Sequence, residues 1–96
     1  MTQSVFEIVT YTVTDAAWAE EGRRRARASV AKYAGFVGWQ SYSGGEGATT
    51  FVDHVEWQTM DTALAAQTRF MRDSETELFR RFFGTKLAMT HVLRVD

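Results

Sequence analysis

An α+β sandwich built on one antiparallel sheet is the fold class predicted from three observations. Segments rich in β-branched and aromatic residues alternate with segments of helical periodicity, in the order β-α-β-β-α-β. Gly, Ser, Thr and Asp punctuate them, in a chain without Pro. The length, 96 residues, is that of one domain spanning 1–96.

"SVFEIVTYTV", 4–13, is a run of β-formers and predicts the first strand. Thr14 and Asp15 can cap a helix to about Ala34, with Trp18, Gly22, Ala26, Val30 and Tyr33 as its inner stripe. Glu20–Arg24 and Glu21–Arg25 are spaced as i,i+4 pairs, so the "RRR" run reads as a solvated face. Gly35 ends the helix. "FVGWQSYS", 36–43, and "TTFVDHVEW", 49–57, are strands joined by the glycine-rich turn "GGEGA", 44–48. That turn joins strand to strand, which is not the context of a phosphate-binding loop. Thr59 can cap a second helix carrying Leu64, Ala65, Phe70 and Met71. A break near Arg72–Asp73 is followed by Ser74 and Glu77, spaced as a capping box for a further helical segment with Leu78, Phe79, Phe82 and Phe83. Gly84 stops it, and "KLAMTHVLRV", 86–95, is the fourth strand. With right-handed crossovers this order gives a ferredoxin-like sandwich: a four-stranded antiparallel sheet with the helices on one face. The bare second face is an association surface, best covered by a second copy of the chain.

Composition narrows the function. A domain this small buries only about 60–65% of its unfolded surface, yet 45% of the residues are hydrophobic and 14% aromatic, enough for a thin core and a ligand surface. Eleven basic residues against twelve acidic ones leave a net charge of −1, with no basic excess for nucleic acid. The absence of Cys removes disulfide, thiolate and Cys-zinc chemistry. No signal peptide and no membrane span are expected, so a cytoplasmic protein without a membrane partner is the expectation.

The pentapeptide "DHVEW", 53–57, raises the question of a site. Alternation groups Phe51, Asp53, Val55 and Trp57 on one face and Val52, His54 and Glu56 on the other. It likewise groups Phe36, Gly38, Gln40 and Tyr42 in the second strand, and Val5, Glu7, Val9 and Tyr11 in the first. The mixed sets holding Asp53, Trp57, Gln40, Tyr42, Glu7 and Tyr11 have the character of a pocket lining, aromatic walls with a few polar groups. They are assigned to the open face, with Trp39 beneath the helices.

The whole chain, through "GFVGWQSYS", "TFVDHVEWQTMDTA" and "MTHVLRV", resembles the dimeric α+β barrel superfamily, and within it the antibiotic biosynthesis monooxygenase (ABM) domain proteins. The feature that carries this most is the Trp closing the third strand ahead of a capped helix, "EWQT". The resemblance implies a homodimer with a pocket in each subunit between sheet and helices. It also implies oxidation of a small aromatic or polyketide-like molecule by O₂ without flavin, haem or metal. Those enzymes carry an Asn and a Trp four residues apart on this strand; Asp53 and Trp57 match, with Asp in place of Asn. Tyr42 and Arg80 match further polar positions, while the helix-borne Tyr of the family falls near Ala63. The haem-degrading branch has an Asn near the position of Val9 and a His in the second helix; both are missing, so haem degradation is rejected.

Each candidate has a plainer alternative. Asp53 is either a general base raised by an apolar pocket or a carboxylate paired with an Arg. Trp57 either stacks on a planar substrate or closes the barrel end. His91 is a second candidate acid/base. Tyr11, Gln40 and Tyr42 either bind substrate or face a partner subunit. His54 and His91 lie on separate strands, a weak basis for a metal site. A non-catalytic small-molecule binder and a cofactor-free cyclase or isomerase remain alternatives to the monooxygenase.

Overall fold

The computed structural model describes residues 3–45 and 48–95, so part of the 44–48 turn lies outside the described residues. Strand β1 (Val5–Val13) runs through the sheet interior, β2 (Phe36–Ser43) and β3 (Thr50–Trp57) form the hairpin, and β4 (Phe83–Leu93) is an edge. The order is β2-β3-β1-β4, every neighbouring pair is antiparallel, and helices α1 (Ala16–Val30), α2 (Met60–Phe70) and α3 (Glu77–Phe82) cover one face. This is the ferredoxin-like arrangement expected.

Helix α1 starts where the Asp15 carboxylate accepts the Trp18 N–H at 3.0 Å. Its buried stripe is Ala19, Gly22, Arg23, Ala26 and Val30. Small residues let α1 lie directly on α3: a Cβ at Gly22 would sit 2.6 Å from Phe79 Cα. Trp18 is not part of that stripe; it is 52% exposed and stacks on Phe82 at 6.0 Å. The acidic residues of α1 pair one position earlier than expected, as Arg23–Glu20 and Arg24–Glu21. Within "RRR", Arg24 and Arg25 are solvated, but Arg23 is only 3% exposed. The helix also stops at Val30 rather than Ala34. Tyr33 N–H turns back to the Val30 carbonyl at 2.9 Å, and the Ser29 and Tyr33 hydroxyls are both tied to Asp73 Oδ2, at 2.6 and 2.7 Å.

Helix α2 is capped by a reciprocal Thr59–Thr62 box. Its buried side chains are only Ala63 and Ala66, while Leu64 and Met71 are exposed. Two methyl groups cannot fill the space between a helix and a sheet, so a cavity remains under α2. The Ser74–Glu77 box does not form: Asp73 instead caps a 3-10 turn (Ser74–Thr76) by accepting the Glu75 N–H at 2.8 Å, and α3 follows without a side-chain cap. Gly84 lies inside β4, which begins directly after α3.

The expected face assignment is corrected. Tyr11, Asp53, Val55 and Trp57 are buried with the core under the helices, as is Trp39. Gln40 pairs with His54 and Tyr42 with Val52, on the opposite, open face. Gln40 and Tyr42 are thus on the open face as assigned, but apart from Asp53 and Trp57, because the β2 register shifts between Phe36 and Gly38. Phe36 packs edge-on to Trp57 at 5.7 Å, so strict alternation from Phe36 wrongly puts Gln40 and Tyr42 on one face with Asp53 and Trp57.

Candidate functional site

A cavity of about 520 Å³ lies between the sheet and the α2–α3 layer. Tyr33, Trp39, Trp57, Phe70 and Phe79 supply aromatic wall, and Glu7, Asp53, Arg80 and Lys86 are its charged lining residues. The adjacent strands β1 and β3 thus present Glu7, Asp53 and Trp57 to one space. Arg80 is held there by the 3-10 turn that precedes its helix, with Nε donating to Thr76 Oγ1 and Nη2 to the Asp73 carbonyl, each at 3.1 Å.

Asp53 sits in a tight network. Its Oδ1 accepts the Ser41 hydroxyl at 2.7 Å and the Tyr11 hydroxyl at 2.9 Å, and Arg23 Nε lies 3.8 Å away. Arg23 Nη2 donates to the Tyr11 hydroxyl oxygen at 2.8 Å, and the guanidinium stacks over Phe51 and Phe79. Burial pushes the Asp53 carboxyl above its ordinary value, opposed by Ser41, Tyr11 and Arg23. Burial and the neighbouring Asp53 charge push the Tyr11 hydroxyl up as well.

Glu7 is set differently. It faces His91 in the β1–β4 register, with Oε2 3.5 Å from His91 Nε2 and side-chain exposures of 14% and 18%. Burial raises the Glu7 carboxyl, opposed by His91 and Trp57, and Asp53 adds to the rise. Trp57 Nε1 and His91 Nε2 are buried without completing a hydrogen bond of good geometry. Both stand close enough to the Glu7 carboxylate to favour its anion, so 3.5 Å is best described as a loose contact rather than a formed bond.

Of the residues singled out in the sequence, Asp53, Trp57 and Arg80 come together at the cavity. Tyr11 lies behind Asp53, and His91 beside Glu7. Gln40 and Tyr42 do not join them: the Tyr42 hydroxyl donates to Gln40 Oε1 at 3.0 Å on the open face. His54 is on that face too, tilted against Phe6. Among the described residues, no three His, Asp or Glu side chains gather as a metal site, and no helix is long and apolar enough to cross a membrane. Arg23 escaped selection, and Glu7 was grouped with the pocket lining without being weighed as an acid or base. Arg23 follows Ala19 by four and precedes Ala26 by three, a spacing that marks it as inward. Glu7 interrupts an apolar alternation on the first strand.

Solved structures share this fold over nearly the whole chain. A candidate antibiotic biosynthesis monooxygenase from Bordetella bronchiseptica aligns with a TM-score of 0.83 at 20% identity, covering 98% of this chain and 99% of that one. SnoaB, a cofactor-independent oxygenase from Streptomyces nogalater, aligns at 0.75 and 20% identity, over 98% and 93%. A candidate antibiotic biosynthesis monooxygenase from Nitrosomonas europaea aligns at 0.69 and 14% identity, over 100% and 92%. No protein-family model and no curated protein matches the sequence. The chain therefore has an ABM-like α+β fold.

Proposed function

We propose that the cavity binds a small planar, enolisable aromatic or polyketide-like molecule and that the protein is a cofactor-independent monooxygenase. The observation that carries this is the cavity itself: about 520 Å³, within the roughly 300–1,000 Å³ of small-molecule sites, with aromatic walls and charged side chains held in largely apolar surroundings. The fold shared with SnoaB supports the same reading. Trp57 gives a flat wall for a ring system, and its indole N–H, buried beside the Glu7 carboxylate without a well-formed bond, would meet a substrate oxygen once substrate displaces that contact. Arg80 supplies a fixed cation for a phenolate or enolate.

The chemistry balances without a further reductant. A base takes a proton from the activated CH₂ of the substrate, leaving a delocalised carbanion. One electron passes to O₂, and the substrate radical and superoxide combine in a C–O bond. The peroxide anion is protonated; loss of the second C–H proton then breaks the O–O bond and expels hydroxide, giving a ketone and one water. The protein supplies orientation, exclusion of water and proton transfer. Anthrone is a suitable probe. After dialysis against a chelator, the protein is expected to consume one O₂ per anthraquinone formed, read with an oxygen electrode and by absorbance. Conversion of enolisable ketones without O₂ uptake would favour an isomerase or cyclase, and tight binding without turnover a binding protein.

A homodimer is part of the proposal. The open face carries Phe6, Ile8, Tyr42, Val52 and Val92, and no helix among the described residues covers it; Tyr42 is 52% and Val92 37% exposed. A second copy meeting this face would bury well over roughly 1,000 Å². Sedimentation at micromolar concentration should give about twice the 10.9 kDa chain mass. A stable monomer would remove this part of the proposal.

A further inference from the structure

Two carboxylates line one cavity, and their surroundings separate their roles. Asp53 Oδ1 is occupied by the Ser41 and Tyr11 hydroxyls, with Arg23 behind them. Donors aimed at a carboxylate stabilise its anion and weaken it as a base. Glu7 has no guanidinium or hydroxyl hydrogen bond among the described residues. Its polar neighbours are the His91 imidazole at 3.5 Å and the Trp57 indole N–H. We propose that Glu7 is the general base of the cavity, that His91 is its positioning residue and proton outlet, and that Asp53 holds the framework. This deepens the reading above and rests on it.

The geometry supports each part. Glu7 lines the cavity, and Trp57, from the next strand, lines it beside Glu7. A substrate whose carbonyl or phenol oxygen takes the Trp57 N–H would place an acidic C–H near Glu7. The proton moves from carbon to the Glu7 carboxylate while the electron pair delocalises onto the substrate oxygen. His91 stands on edge strand β4, with a side chain still partly open to solvent, and can accept the proton from Glu7 and release it. A 3.5 Å spacing is of the kind that shortens when substrate closes a site. The other charged groups of the same space are Asp53 of β3, Arg80 of α3 and Lys86 of β4.

Burial raises the Glu7 carboxyl above the ordinary carboxylate value, closer to the pH at which a base must work. The folded state holds the Glu7 proton more tightly than the unfolded chain, so the stability Glu7 contributes is present below the unfolded value and lost as pH rises through the folded one. Gln removes that loss, and Glu7→Gln should be at least as stable as the wild-type protein at neutral pH.

The test is exchange of the anthrone CH₂ protons in D₂O without O₂, followed by NMR. Wild-type protein should accelerate exchange above buffer. Glu7→Gln should lose about 10²–10⁴-fold of that acceleration, while Glu56→Gln, on the open face, should keep it. His91→Gln should lose less. Because His91 lowers the Glu7 value, its removal should move the acidic limb of the exchange profile to higher pH, a shift that a merely structural residue would not cause. Exchange in Glu7→Gln at the wild-type rate, or a wild-type rate no faster than buffer, would overturn the proposal, as would loss in Asp53→Asn with Glu7→Gln intact. Exchange by wild-type protein without O₂ uptake in air would remove the oxygenase but leave the base. Undiminished O₂ uptake in Glu7→Gln would do the opposite.

Discussion

Asp53→Ala is expected to destabilise the protein by about 3–5 kcal/mol, the range for removing one partner of a buried ion pair. Two hydroxyls lose an acceptor and one guanidinium its counter-charge at once. Arg23 is 3% exposed and Asp53 5%, so the guanidinium would be left buried without its carboxylate. Glu20 would remain as a partner for Arg23, but its side chain is 72% exposed and reaches only one end of the guanidinium. Tyr11 and Ser41 would also lose the oxygen to which their hydroxyls donate. A domain with a total stability of about 5–15 kcal/mol has little margin for this. Urea unfolding should show a lower midpoint with an unchanged slope. Adding Arg23→Met to Asp53→Ala should recover part of the loss, because no buried charge is then left alone. A cost under about 1 kcal/mol for Asp53→Ala would show that the network carries little of the fold.

The order of elements was legible because each segment agrees with its local chemistry. "SVFEIVTYTV" is crowded with β-formers, and Asp15 and Thr59 are the caps that begin α1 and α2. The facing of the strands was not. Polar residues lie on both sides of the sheet, Glu7 and Asp53 inward and Gln40 and Tyr42 outward, so no set reads as plainly apolar. The β2 irregularity after Phe36 then breaks the alternation by which faces are counted. Arg23 was hidden for a related reason: its buried charge depends on Tyr11 and Asp53, which are 12 and 30 positions away in the chain. A triple Arg run looks solvated until the tertiary partners of one member are known. The placement of Asp53, Trp57 and Arg80 at one cavity follows from the topology, whereas the contrast between Asp53 and Glu7 needed side-chain geometry.

Trp57→Ala should cost about 3–5 kcal/mol of stability, because the indole is 2% exposed and packs edge-on to Phe36 and parallel to Tyr33. It should also weaken binding of a planar aromatic by at least tenfold, since it removes a cavity wall and the N–H that meets the substrate oxygen. Trp57→Phe should recover most of the stability while leaving binding weakened, because it restores a ring but no donor. Equal recovery of both would mean that the indole N–H has no part in binding. Trp39 faces the same cavity, so the two tryptophans do not divide into a ligand-facing Trp57 and a core Trp39 as alternation predicts.

The claim on which these expectations depend is that the ligand site lies under the helices. Titration of ¹⁵N-labelled protein with anthrone without O₂, read at the three indole N–H resonances, tests it directly. Trp57 should move on binding, and Trp18, on the outer side of α1 against Phe82, should stay in place. A titration that moves the Gln40 side-chain amide and His54 on the open face, while Trp57 stays still, would contradict the account.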